Sequence, residues 1–149
     1  MYTNILIPTD GSPLAEQAVD KGIALAKALG AKVTVLTVIE PFEVMRHFVV
    51  ADSAQLNETY AMYEREADAH ADRILGSATE RASALGVTAA TARVQSGYPS
   101  DAIIETATAQ GADLIMMASH GRKGVAAVLI GSETMKVLTH SRIPVLVLR

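Results

Sequence analysis

LIMMASHGRKGVAAVLIGSET, residues 114–134, is the stretch on which the reading of the chain turns. Leu114-Ile115-Met116-Met117 is an uninterrupted apolar run between Asp113 and Ser119, the pattern of a strand buried on both faces. Gly121, Arg122, Lys123 and Gly124 then break all periodicity, so a loop follows. Gly131 and Ser132 close the loop. The spacing over 133–140 predicts a short helix with Ser132 as its N-cap and Glu133 in the first turn. A buried strand thus feeds a glycine-rich loop that ends at a helix N-terminus. Unpaired amides and the positive end of the helix dipole make such a place an anion site. Glycines let the backbone approach a phosphate with no Cβ in the way.

Upstream, the apolar run Ile5-Leu6-Ile7 marks a buried strand over 2–8, and Thr9-Asp10-Gly11-Ser12-Pro13 is a turn. Ser12 as N-cap and Pro13 at the first helical position start a helix that Gly30 stops. KVTVLTV, 32–38, is rich in β-branched residues and reads as a second strand. The greasy segment 39–56 is irregular, as a lid or binding loop would be. A long helical pattern over 57–85 puts Tyr60, Tyr63, Ala67, Ala71, Ile74, Leu75, Ala78, Ala82 and Leu85 on one face. A thin strand over 88–95, a short helix over 99–109 and a last apolar strand over 144–148 complete the chain. Five strands alternating with four helices imply a single doubly wound α/β domain, 1–149, with a parallel sheet covered on both faces. In such sheets ligands sit at the carboxyl ends of the strands. If strands 1 and 4 are neighbours, Asp10 and the 118–121 segment converge on one crevice.

Composition narrows the function. With 149 residues, half of them apolar, one domain with a substantial core is expected. A net charge of −3 and few aromatics argue against nucleic acid or an anionic membrane as partner. The absence of cysteine excludes disulfides, thiol catalysis and Cys-ligated zinc, and fits a reducing cytosol. No signal peptide and no membrane-spanning run is expected. Ser119 and His120, adjacent on an extended chain, are expected to point opposite ways, which argues against a hydrolase triad with Asp10. Glu66 and His70, four apart on a helix, read as a surface pair rather than a metal site.

The chain resembles a universal stress protein over nearly its whole length. The resemblance is carried in order by ILIPTDGS (5–12), TVIEP (37–41), SHG (119–121), GSET (131–134) and HSRIPVLVLR (140–149). The family's loop has the form Gly-two-Gly-nine-Gly-Ser/Thr. Gly121, nine intervening residues, Gly131 and Ser132 match it, while Ala118 stands at the first glycine. A negative φ there accommodates alanine at little cost, and a positive φ would strain it. The resemblance implies strand order 3-2-1-4-5 and a homodimer through the C-terminal strand. It implies ATP, with Mg2+ as counter-ion, as the adenine nucleotide bound. Pro8, Thr9 and Asp10 would line the adenine and ribose side and Val38 would meet the adenine. Gly121, Gly131, Ser132 and Thr134 would meet the phosphates, with Glu133 between them in the helix's first turn. Met117, Ala118, Ser119 and His120 fall on the strand end beside them.

Two readings of Asp10 stay open: an acceptor for ribose or adenine, or an Asx-turn acceptor. Arg122 and Lys123 either screen phosphate or are solvated loop cations. For the whole chain, the first expectation is a cytoplasmic, non-enzymatic stress-response regulator that binds ATP. The alternatives are a slow ATPase or self-phosphorylating protein using Ser132 or Thr134, and a dimeric stress protein that binds no nucleotide.

Overall fold

The computed structural model describes residues 1–42, 53–121 and 129–149. The core of the 39–56 segment, Arg122 and Lys123 lie outside them. The elements run β1 (Asn4–Pro8), α1 (Pro13–Leu29), β2 (Lys32–Ile39), α2 (Ser53–Ala84), β3 (Ala89–Gln95), α3 (Pro99–Ala109), β4 (Leu114–Ala118), α4 (Ser132–His140) and β5 (Val145–Leu148). The five strands form one parallel sheet in the order β3-β2-β1-β4-β5. The fold class and strand order are those expected.

Strand alternation sorts the core into two layers. Ile5, Ile7, Val33, Val35, Leu114 and Met116 face Val19, Ile23 and Ala26 of α1 and Leu75, Ala78 and Ala82 of α2. Leu6, Leu36, Ile115 and Met117 face Ile103 and Ala107 of α3 and Val137 of α4. Ile5, Leu6, Ile7 and Ile115 have no exposed surface at all, which is why these strands read as continuous apolar runs rather than alternating ones.

Helix α2 departs from the expected pattern. It begins before residue 57, and its buried residues are confined to Ala71 and beyond. Tyr60 and Leu85, placed inward by helical spacing, are 38% and 40% exposed. At 32 residues α2 is about 48 Å long, whereas an eight-residue strand spans roughly 26 Å, so the helix outruns the sheet. Its first half has little sheet to cover. Phe42 packs there instead, its ring centroid 5.4 Å from those of both Tyr60 and Tyr63.

The entry to β4 is tied to the chain's start. Asp113 accepts hydrogen bonds from Thr3 N and Thr3 Oγ1, both at 2.8 Å, and from Asn4 N at 3.0 Å. Partial burial works to raise its pKa, but the bonds from Asn4 and Thr3 outweigh it and hold the carboxyl below its ordinary value. A depressed folded-state pKa adds stability that is present above the unfolded value and lost as pH falls through the folded one. Asp113→Ala is expected to cost about 1–2 kcal/mol at neutral pH, the scale of backbone donors losing a charged acceptor. Urea unfolding across acid pH should show the gap to wild type closing below the ordinary carboxylate range. A gap that stays constant down to strongly acid pH would refute this.

Candidate functional site

The carboxyl ends of β1 and β4 lie side by side at the centre of the sheet, where the chain's winding reverses direction. Beyond β1 the turn is closed by its own side chains. Asp10 Oδ1 accepts from Ser12 N at 2.9 Å, so the Asx-turn reading of Asp10 is realised. Thr9 Oγ1 accepts from Gly11 N at 3.1 Å and donates to Glu16 Oε1 at 2.9 Å. Thr37 Oγ1, at the end of β2, donates to Thr9 O at 3.1 Å. Pro8 pairs in register with Leu36, and Val38 follows two residues further along β2, half-buried beside the second core layer. Ser12 caps α1 by position only. Its hydroxyl makes no capping bond and is buried without a hydrogen-bond partner.

Beyond β4 the backbone folds onto the start of α4. Met117, Ala118 and Ser119 are buried. Ala118 lies in the strand with no positive φ, and its methyl packs with Ala15 and Ala18 of α1 against Leu14 and Leu148. The alanine at the first glycine position therefore carries no backbone strain, and its side chain belongs to the core. Ser119 N donates to Leu148 O at 2.7 Å, and Ser119 O accepts from Gly131 N at 2.7 Å. Thr134, buried, donates its hydroxyl to Ala118 O at 3.0 Å.

At the two remaining motif glycines it is space that is tight, not the torsion that demands glycine. A Cβ on Gly121 would stand 2.3 Å from Asp10 Oδ2. A Cβ on Gly131 would stand 3.3 Å from both His120 Cα and Ser119 O. Bare backbone at Gly121 thus lies against Asp10, and at Gly131 against the 119–120 backbone at the start of α4. Gly131, with φ −62° and ψ 154°, is the N-cap of α4, and no side chain caps the helix. This corrects the assignment of Ser132 as N-cap. Ser132 is the first helical residue and exposed, because the extended conformation required at a cap falls one residue earlier. Among the described residues the first amides of α4 meet no side-chain acceptor, as an anion site requires.

Three other placements differ from expectation. Ser119 Oγ and His120 Nδ1 are 3.2 Å apart, although neighbours on a strand point opposite ways. The strand ends at Ala118, and the bend at Ser119 releases His120 from the alternation. His70, read with Glu66 as a surface pair, reaches the Asp10 turn. Its Nε2 lies 3.3 Å from Asp10 O. Glu133 turns away from the cleft to the next helix. Its Oε2 accepts from Ser100 N, in the first turn of α3, at 2.9 Å, and its Oε1 accepts from Lys136 Nζ at 2.8 Å. Burial works to raise the Glu133 pKa, but Lys136 and the Ser100 amide prevail and lower it. Sequence reasoning missed the parts played by His70, Thr37 and Glu16. Each acts through the fold, on a partner that spacing along the chain does not reveal.

Among the described residues no group of three or more His, Asp or Glu could hold a metal ion, and no helix is long and apolar enough to cross a membrane.

Comparison with known proteins agrees with this architecture. A family model described as "Universal stress protein family" matches residues 1–149. Universal stress protein YxiE of Bacillus subtilis is 30% identical over 155 residues, covering the whole of both chains. The structure of universal stress protein UspA from Lactobacillus plantarum is 25% identical and superposes with a TM-score of 0.83, covering 99% of this chain and 98% of that one. A universal stress protein solved in complex with cAMP is 26% identical, with a TM-score of 0.68 and coverage of 99% and 97%. The match along its full length shows that the chain belongs to the universal stress protein family.

Proposed function

We propose that this chain is a cytoplasmic stress-response regulator that binds ATP in the cleft between β1 and β4 and works as a homodimer joined through β5. The observation that carries the reading is the start of α4, where Gly131 is the N-cap and, among the described residues, no side chain caps the helix, beside the bare backbone of Gly121. First-turn amides with no side-chain acceptor, reached over backbone without Cβ atoms, suit phosphate oxygens. Phosphates would lie on Gly121, Gly131 and the amides of Ser132 and Thr134. Adenine and ribose would lie toward Pro8, Thr9, Asp10 and Val38. Mg2+ would be held chiefly by the phosphates and water, as is usual for this ion. The relative bound to cAMP supports an adenine nucleotide as the ligand class.

Turnover is expected to be negligible beside binding. Asp10 Oδ1 is committed to Ser12 N, Glu133 is turned toward α3, and the Thr134 hydroxyl is committed to Ala118 O. A base for water needs geometry first, and these groups are otherwise engaged. Mass spectrometry of ligand released from purified protein, with calorimetric titration of ATP, tests binding. Phosphate release followed in parallel should stay far below an ordinary enzymatic rate of about 1 per second. No nucleotide released and none bound would leave a dimeric stress protein without nucleotide. Fast release abolished by a loop substitution would make it an ATPase.

A further inference from the structure

Helix α2 reaches the edge of the cleft at one place. Gly11 has φ +76°, and a Cβ there would stand 2.7 Å from Ile74 Cδ1 and 3.4 Å from His70 Cε1. Ile74 and His70 are one helical turn apart, so α2 lies directly on the bare backbone of the Asp10-Gly11 turn. His70 Nε2 lies 3.3 Å from Asp10 O, and a carbonyl only accepts, so the bond selects the ring form with a proton on Nε2. The same residue is held from its other end, where Oδ1 accepts from Ser12 N at the start of α1. The second carboxylate oxygen, Oδ2, stands against Gly121. The main chain of Asp10 is therefore tied to α2 and its carboxylate to α1.

We propose that His70 is a positioning residue of the nucleotide site: by donating to the Asp10 carbonyl it fixes the turn that aims the Asp10 carboxylate at the ribose side of the cleft. This rests on the reading of the cleft as an adenine-nucleotide site. The bond adds a tie from α2 to a turn otherwise closed by Thr9 Oγ1 on Gly11 N and Asp10 Oδ1 on Ser12 N, where Gly11 itself adds no side-chain stiffness. Without that tie the turn would still fold, but its carboxylate would meet ribose hydroxyls over a wider spread of geometries.

The test compares wild type, His70→Gln and His70→Phe for affinity toward ATP and 2′,3′-dideoxy-ATP, with thermal unfolding of each protein. Glutamine keeps a donor at similar reach and gives up the ring. Phenylalanine keeps the ring on Gly11 and gives up the donor. Wild type is expected to prefer ATP over the dideoxy analogue. The Phe variant should bind ATP about five- to tenfold more weakly, the scale of one hydrogen bond, with its preference for the ribose hydroxyls shrinking toward none. The Gln variant should retain both affinity and preference. If the Phe variant does not fold, His70→Met, also without a donor, takes its place. A donorless variant that binds and discriminates like wild type overturns the inference and leaves the site standing. So does a Gln variant that falls as far as Phe, since packing would then be the role. A wild type indifferent to the ribose hydroxyls also overturns it. A wild type that binds neither nucleotide overturns the reading of the site itself.

Discussion

Gly131→Val is expected to weaken ATP binding by about 1–3 kcal/mol, roughly one to two powers of ten in affinity, while leaving the fold intact. With φ −62° the position has a torsion open to any residue, so the penalty comes from space alone. A Cβ already stands 3.3 Å from His120 Cα and Ser119 O, both backbone atoms that have no side-chain freedom to yield. Alanine needs only a few tenths of an ångström and should cost little. Valine adds two methyls, which must push the 119–120 backbone away from α4 or enter the phosphate cradle. Gly131 N also donates to Ser119 O at 2.7 Å, so opening that gap strains the bond closing the cleft. Calorimetry on the Ala and Val variants, with thermal unfolding as control, checks the order. A folded Val variant with wild-type affinity would remove the phosphates from this loop.

The second large effect is expected in assembly. β5 is the end of the sheet, and its outer edge has no neighbouring strand among the described residues. Leu146 is 44% exposed on the α1 face, while Met135 and Leu138 of α4 are exposed at 49% and 38% on the other side. An apolar edge strand flanked by apolar side chains is a template for another strand. Two copies related by a two-fold axis would satisfy both sets of edge amides. Wild type is expected to be dimeric at micromolar concentration by light scattering. Leu146→Lys, at an exposed position, should dissociate the dimer at that concentration without lowering the melting temperature of the monomer much. A wild type that remains monomeric would sink the proposal, as would a lysine variant that dimerises as tightly.

The fold was legible because each element announces itself locally. Runs such as Ile5-Leu6-Ile7 mark strands buried on both faces, and Pro13 with Gly30 brackets α1. The strand order came from the family resemblance, since no local signal states which strands are neighbours. The inward face of α2 was legible only where the sheet lies beneath it. Periodicity records amphipathic spacing, not where the neighbouring layer stops, so Tyr60 was misplaced. In the site, the glycine spacing located the cleft, but side-chain commitments were hidden. Glu133 reaches Ser100 and His70 reaches Asp10 across 33 and 60 residues of chain. The significance of Ala118 depended on a torsion and on which way a methyl points, and spacing specifies neither.

The position of β1 has a consequence for synthesis. It is the central strand and the first to leave the ribosome, yet one of its two neighbours, β4, comes last but one. The Thr3–Asp113 bonds span 110 residues. At roughly 5–20 residues per second, the nascent chain carries Ile5, Leu6 and Ile7 for about 5–20 s before that neighbour exists. During that time β1 can pair with β2 under α1 and α2, but the layer built on Leu6 cannot close until Ile115, Met117 and Val137 have been made. A chain stalled in this interval exposes a greasy, half-paired strand, so chaperones would be expected to find this protein early in its synthesis rather than at its end.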